Sequence, residues 1–297
     1  MRLTDQQKRR FIEDGYIVIP NAVPRVMVDA ARQSINHYIG QHGMPPDELD
    51  IYRAQTYCRH LTQTHEITTL FNDTPVFSLT ESLVGEGRLS KAASGQIGLR
   101  FPAPPFADAG PPRGHLDGIG SGKNGSNVGE YHRGFTGFAV VYLSDVPTEY
   151  SGNFTVWPGS HLTVEQHLEQ QGVDVLTRGC PQCDWPRPPV QVTGQAGDAV
   201  IAHHQLIHTA APNTSPNIRY GIIFRLRHVD CGEFANKAYT DIWHEWEGLH
   251  HLLPPERASR SNTEAKARRR RTRAAARRRS GKSSARVAAT SRKRTAP

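Results

Sequence analysis

The sequence predicts a mixed α+β fold, mainly β, with helices at its start and short strands after them. Three observations predict it. The first forty residues carry helical apolar spacing with start and stop signals. From residue 95 the pattern changes to short apolar runs separated by Gly, Pro, Asn and Asp, as in a sandwich or barrel with helices packed on one side. After residue 256 the composition collapses into Arg, Ala, Ser, Lys and Thr without apolar periodicity, a segment that cannot bury enough surface to fold alone. The chain is therefore read as one domain over residues 1–256 and a disordered basic tail over residues 257–297.

Thr4 with Gln7 has the form of a capping box, Phe11 and Ile12 give the first helix an inner face, and Gly15 stops it. Tyr16, Ile17, Val18 and Ile19 read as a strand ended by Pro20. Pro24 opens a longer helix with Met27, Val28, Ala31, Ile35, Tyr38 and Ile39 on one side and a stop at Gly40. Residues 41–64 are polar and give no clear pattern, and residues 76–84 read as a further helix before Gly85. The strand candidates are residues 95–101, 138–143, 153–157, 190–192, 199–207 and 220–226. Residues 138–143 are apolar on both faces, as a central strand covered twice would be. Around residue 220 the faces differ, with Tyr220, Ile222, Phe224 and Leu226 on one and Arg219, Gly221, Ile223 and Arg225 on the other. Gly221 leaves room beside Arg219, which suits a ligand-facing surface.

The overall balance of 36 Lys+Arg against 28 Asp+Glu is misleading. Residues 257–297 hold 16 of those bases and one acid, so residues 1–256 keep 20 bases against 27 acids, a net −7. Any nucleic-acid partner belongs to the tail alone, whose arginine runs predict salt-sensitive, nonspecific binding. It has no aromatic residue to stack on bases. Four scattered cysteines do not make a disulfide framework, and neither a signal peptide nor a membrane-length apolar run is present, so a cytoplasmic protein with no membrane contact is expected.

The stretch Gly114-His115-Leu116-Asp117-Gly118 carries the chemistry. On an extended chain His115 and Asp117 project from the same side, within reach of one metal ion. Residues 198–208 read as a strand that delivers a second imidazole, and Arg219 follows His208 after eleven positions. Two histidines and one carboxylate form the facial triad of non-haem Fe(II) oxygenases, which leaves coordination positions open. A 2-oxo acid can chelate there beside dioxygen, and Arg219 can grip the far carboxylate bidentately. His204 shares the strand parity of His208; His208 is preferred because Pro212, Asn213 and Arg219 fall at consistent spacings from it.

These residues match a known pattern. The run from Phe11 to Pro20, the Gly114 to Gly118 element, the run from Gly152 to His161, and His208-Thr209-Ala210-Ala211-Pro212-Asn213 with Arg219 together resemble the phytanoyl-CoA dioxygenase family, in order and spacing, over about residues 9 to 227. The resemblance implies a double-stranded β-helix, or jelly roll, that uses Fe(II), 2-oxoglutarate and O2. It maps His115, Asp117 and His208 onto the iron ligands, Arg219 onto the grip for 2-oxoglutarate, and Gln96 onto a polar position of the cosubstrate pocket. It implies hydroxylation of an unactivated C–H bond of a small molecule, with release of succinate and CO2. Ala210 departs from the serine that many relatives have there, and Asp117 disfavours halogenation, for which related enzymes carry a small residue. Desaturation, ring closure or epimerisation would use the same chemistry. The rival from another class is a nonenzymatic metal- or ligand-binding module tethered to nucleic acid by the tail.

Other motifs fail or read as structural. His161 closes a Pro-Gly-Ser-His turn, and Cys180 and Cys183 lack the second pair a zinc site needs. His244-Glu245-Trp246-Glu247-Gly248 has glycine where a zinc protease needs its second histidine, and Asn124 spoils a phosphate loop after Gly118. Residues 118–129 read instead as a loop that closes over substrate. Trp243 and Trp246 read as packing, with the substrate mouth as the other option.

Overall fold

The computed structural model describes residues 1–44, 56–104, 107–108, 110–120 and 127–257. The chain divides into two units, Met1–Leu252 and Leu253–Pro297. Of the second only residues 253–257 are described, and the expectations for the basic tail lie outside them. Within the first unit helices and two antiparallel sheets are combined. Among the described residues no helix is long and apolar enough to cross a membrane.

Helix α1 (Asp5–Asp14) starts where the capping box predicts: Gln7 N donates to Thr4 Oγ1 at 3.3 Å and Thr4 N to Gln7 Oε1 at 2.9 Å. Phe11 is fully buried against Trp246 and Trp243, with ring centroids 4.9 and 6.5 Å away. Both tryptophans are packing residues. Gly15 ends the helix at φ +80°, and a Cβ there would lie 2.6 Å from His161 Nδ1 and 2.8 Å from Leu206 Cδ1. Gly15→Ala is expected to cost about 2 kcal/mol or more, from the left-handed backbone and the clash together. A urea midpoint unchanged from wild type would contradict this.

Strand β1 (Tyr16–Ile19) follows at once, and α2 (Arg25–His42) lays Val28, Ala31 and Ile35 into the core. Gly40 does not stop α2, because a helical glycine with open space around it is tolerated; the stop is Gly43, at φ +67°. Helix α3 (His65–Asn72) was not legible in the sequence, whereas α4 (Pro75–Val84) matches its expected span with Pro75 in its first turn and Thr74 as cap.

The larger sheet has five strands in the order β1-β6-β3-β8-β2. Its members are β2 (Gln96–Arg100), β3 (Gly137–Tyr142), β6 (Ala199–His203) and β8 (Arg219–Leu226), besides β1. β3 is buried along its whole length, with β6 and β8 on either side, as its two apolar faces require. The smaller sheet has the order β5-β4-β7, from β4 (Phe154–Val156), β5 (Val190–Gln191) and β7 (His208–Ala210). Helix α5 (Ser160–Gln171) begins at the expected Pro-Gly-Ser-His turn and holds Val164 and Leu168 inward.

One expectation is corrected. Residues 199–207 are not a single strand, and His208 does not share one with His203 and His204. β6 ends at His203, whose Nδ1 accepts from Gln205 N at 3.1 Å while its carbonyl accepts from Leu206 N at 3.1 Å. That turn carries the chain from the five-stranded sheet into the three-stranded one. Since β6 and the turn are both buried, no change of polarity marked the break.

Candidate metal centre

His115 is held by backbone pairing to β7: its N–H donates to the His208 carbonyl at 3.0 Å, and His208 N–H donates back at 3.1 Å. This pairing needs Gly114, because a Cβ there would sit 2.5 Å from Ile207 Cγ2 and 2.9 Å from the Trp157 ring. Two positions on, Asp117 returns to the same side. Gly118, at φ +84°, then turns the chain so that its carbonyl accepts from His132 N at 2.7 Å.

The three side chains meet. Asp117 Oδ1 lies 3.4 Å from His115 Nε2, and Oδ2 lies 3.8 Å from His208 Nε2. One ligand atom from each of the three falls within 4.8 Å of the others, and among the described residues this is the group of His, Cys, Asp or Glu side chains suited to a metal ion. His208 Nδ1 lies 2.9 Å from the Leu206 carbonyl, which can only accept; Nδ1 therefore carries the proton and Nε2 presents its lone pair to the centre. The rings of Phe138 and Phe154, 4.6 and 5.8 Å from that imidazole, wall it from water.

Burial pushes the Asp117 carboxyl up, but Arg225 and the two imidazoles outweigh it and hold the group well below the usual carboxylate range. Burial lowers the His208 pKa to about 4, against the pull of Asp117. Burial also holds His203 and His204 neutral. Below the ordinary value of 6.5 the unfolded chain binds protons on these imidazoles that the folded chain refuses. Their stabilising contribution is thus complete above that pH and is lost as the pH falls toward 4. For His208 alone the loss reaches about 3 kcal/mol near pH 4. The Tm of the metal-free protein is expected to drop steadily between pH 7 and 5, and a flat profile would contradict neutral buried imidazoles.

Arg219 is buried at the start of β8, its Nε donating to the Gly152 carbonyl at 2.8 Å and its Nη1 to the Gly98 carbonyl at 3.0 Å. Burial brings its pKa down to about 10, so it stays charged at neutral pH. Gly98 on β2 pairs with Gly221 on β8, and a Cβ on Gly221 would lie 2.7 Å from Arg219 Nη1. The glycine pair makes the slot for the guanidinium.

Arg225 stands three alternate positions further along the same face of β8. Its Nη2 lies 2.8 Å from Asp117 Oδ2, its Nη1 donates to Gln96 Oε1 at 3.0 Å, and its guanidinium lies 5.3 Å from the Phe135 ring centre. Period-two alternation put it on the ligand face, but nothing local announced its partner. Gln96 lines the same cavity with Arg225 as its neighbour. A cavity of about 790 Å³ takes in the three-residue centre, Gln96, Arg219 and Arg225, with Ala210 also on its wall.

The remaining candidates lie elsewhere. His204 is buried with Nδ1 at 3.2 Å from the Thr136 carbonyl and is not part of the group. His161 Nε2 lies 3.1 Å from the Ile12 carbonyl, tying α5 to α1. His244 sits against Asp241, and Cys180 and Cys183 are free thiols. Of the loop after Gly118, residues 121–126 lie outside the described set; on its flanks Ile119 bridges to Tyr131.

The donor set fits non-haem Fe(II): two imidazole nitrogens and an ionised carboxylate on one side of a point open to a cavity. A family model described as phytanoyl-CoA dioxygenase matches residues 11–221. A search of curated proteins finds no significant match. Among solved structures, the alpha ketoglutarate dependent carbocyclase SnoK from nogalamycin biosynthesis is 22% identical, with a TM-score of 0.50 over 75% of this chain and 84% of its own. The epimerase SnoN, solved with Fe3+, alpha ketoglutarate and nogalamycin RO, is 18% identical, with a TM-score of 0.51 over 78% and 84%. HygX from Streptomyces hygroscopicus, solved with nickel and 2-oxoglutarate, is 19% identical, with a TM-score of 0.50 over 77% and 88%. At these identities the likeness is one of fold.

Proposed function

The chain belongs to the phytanoyl-CoA dioxygenase family of Fe(II)- and 2-oxoglutarate-dependent oxygenases, and from that premise we propose that His115, Asp117 and His208 hold the iron and that Arg219 grips the far carboxylate of 2-oxoglutarate. The observation that carries this is the convergence of the three donors, from two distant stretches of chain, on the cavity that also holds the Arg219 guanidinium. The two sheets are read as the faces of a double-stranded β-helix, and residues 1–256 as the oxygenase domain. Family membership makes the chain an enzyme and removes support from the nonenzymatic, nucleic-acid-tethered module.

Iron held by His115, Asp117 and His208 would, with dioxygen, supply the chemistry that couples decarboxylation of 2-oxoglutarate to succinate and CO2 with oxidation of an unactivated C–H bond of a small molecule. The protein supplies the rest. His208 is locked in the tautomer that offers Nε2, and Arg225 keeps Asp117 ionised and oriented. Arg219, fixed by two backbone carbonyls in a slot cleared by glycines, presents a permanent charge at one end of the cavity. Gln96 steadies Arg225 and faces the cosubstrate space. Hydroxylation is the proposed outcome. The carbocyclase and the epimerase of like fold keep ring closure and epimerisation among the products to look for. The site of action is placed in the cytoplasm, in keeping with four free thiols.

The test is succinate formation from 2-oxoglutarate that depends on added Fe(II) and stops with a chelator. Arg219→Gln is expected to raise the KM for 2-oxoglutarate about tenfold or more, the worth of a charge-assisted hydrogen bond, with Co(II) binding retained. Gly221→Val should do the same by filling the slot. An unchanged KM in Arg219→Gln would remove Arg219 from its role.

A further inference from the structure

The walls of the cavity are charged opposite to the domain that contains them. Residues 1–256 carry a net −7, yet among the described residues lining the cavity there are four arginines, Arg100, Arg219, Arg225 and Arg227, and one acid, Asp117. The imbalance survives the proposed function, on which this inference rests. A divalent metal and a dianionic cosubstrate cancel each other, and Asp117 cancels one guanidinium. Among the described lining residues the formal charge then stays positive on a concave, partly desolvated wall, where such charges focus the field and attract anions.

The arginines are also placed by a rule. Arg225 and Arg227 continue the face of β8 that begins with Arg219, and the bridge between Leu89 and His228 keeps the chain extended just past the strand end. Arg219 is committed to two backbone carbonyls and Arg225 to Asp117 and Gln96. Arg100 donates through Nε to the Ala211 carbonyl at 3.2 Å. Arg227 differs. Its side chain is exposed and makes no hydrogen bond or ion pair among the described residues. Beside it stands Gly134, where a Cβ would lie 3.9 Å from Arg227 Nη2 and 3.4 Å from the His132 ring. The glycine leaves a gap between an imidazole and an unpaired guanidinium at the cavity wall. Phe135 and Phe138 supply the apolar surface beside that gap, Phe135 under the Arg225 guanidinium and Phe138 against the His208 ring.

We infer that the substrate is an acid with an apolar body, whose anionic group is held by Arg227 at the mouth of the cavity while the body lies along the aromatic wall. Carboxylate and phosphate share the chemistry that a guanidinium recognises. The test uses the full chain loaded with Mn(II) and 2-oxoglutarate, and two matched probe pairs: hydrocinnamate with hydrocinnamamide, and phenethyl phosphate with phenethyl alcohol. Bound Mn(II) accelerates the proton relaxation of a probe held close to it, an effect that falls steeply with distance. Relaxation of an acid but not of its uncharged partner is expected, and the stronger acid names the group. Arg227→Gln should weaken that binding about tenfold, and Arg227→Lys should restore part of it. Equal relaxation of acid and uncharged partner, an Arg227→Gln affinity within about twofold of wild type, or no relaxation of either acid would overturn the inference. Mn(II) uptake is read first by electron paramagnetic resonance. No uptake by the wild type overturns the metal centre itself, whereas uptake without acid binding overturns the inference alone.

Discussion

Asp117→Ala is expected to abolish iron binding and 2-oxoglutarate turnover together, and His208→Ala to do the same. Loss of a residue that merely supports a ligand costs about 10–100-fold in metal affinity, so loss of a ligand should exceed about a hundredfold. In Asp117→Ala the effect is compounded. Arg225, which now spends its charge on Asp117 Oδ2 at 2.8 Å, would face the metal position uncompensated, repelling the cation that the carboxylate had attracted. In His208→Ala the backbone pairing with His115 survives, since it needs no side chain, so the fold should persist without the centre. Co(II) titration and succinate formation measure the two losses. Turnover retained in either variant would refute the ligand assignment.

The second large effect concerns stability. Arg133 and Glu245 form an ion pair with both side chains 1% exposed, through Nη1 to Oε2 and Nη2 to Oε1, each at 2.6 Å. Arg133 also donates to the carbonyls of Ala235, Phe135 and Cys231. Glu245→Ala would leave a buried guanidinium without its counter-charge, at a cost of about 3–5 kcal/mol. Removing both partners, as Arg133→Met with Glu245→Leu, should recover part of that loss but not all, because three carbonyls still lose their donor. Urea denaturation checks both. The pair joins the segment after β8 to the residues between His132 and Phe135, so the weakened variant should also lose definition along that wall of the cavity. A cost below about 1 kcal/mol would show that the region relaxes freely.

Much of the site was legible because it obeys short periods. His115 and Asp117 share a face by alternation, Arg219 and Gly221 by the same rule, and Gly15 and Gly85 stop their helices as composition suggests. What escaped was long-range or uniform in polarity. The break between β6 and β7 lies in a stretch buried throughout, so no apolar-to-polar change marks it. α5 shows only Val164 and Leu168 at helical spacing before its polar end, too little to signal a helix. The bond from Arg225 to Asp117, and that from Arg133 to Glu245, each join residues more than a hundred positions apart, and a pairing of that kind leaves no local trace. The acidic balance of residues 1–256 also concealed a cationic cavity, because a net charge says nothing about where the charges stand.

The backbone pairing of His115 with His208 has a kinetic meaning. Two stretches made at very different times during synthesis must dock, strand edge to strand edge, before both imidazoles can face one ion. A nascent or partly unravelled chain therefore offers at most a fragment of the three-residue group, which is complete only once β7 has been laid down against the stretch around His115.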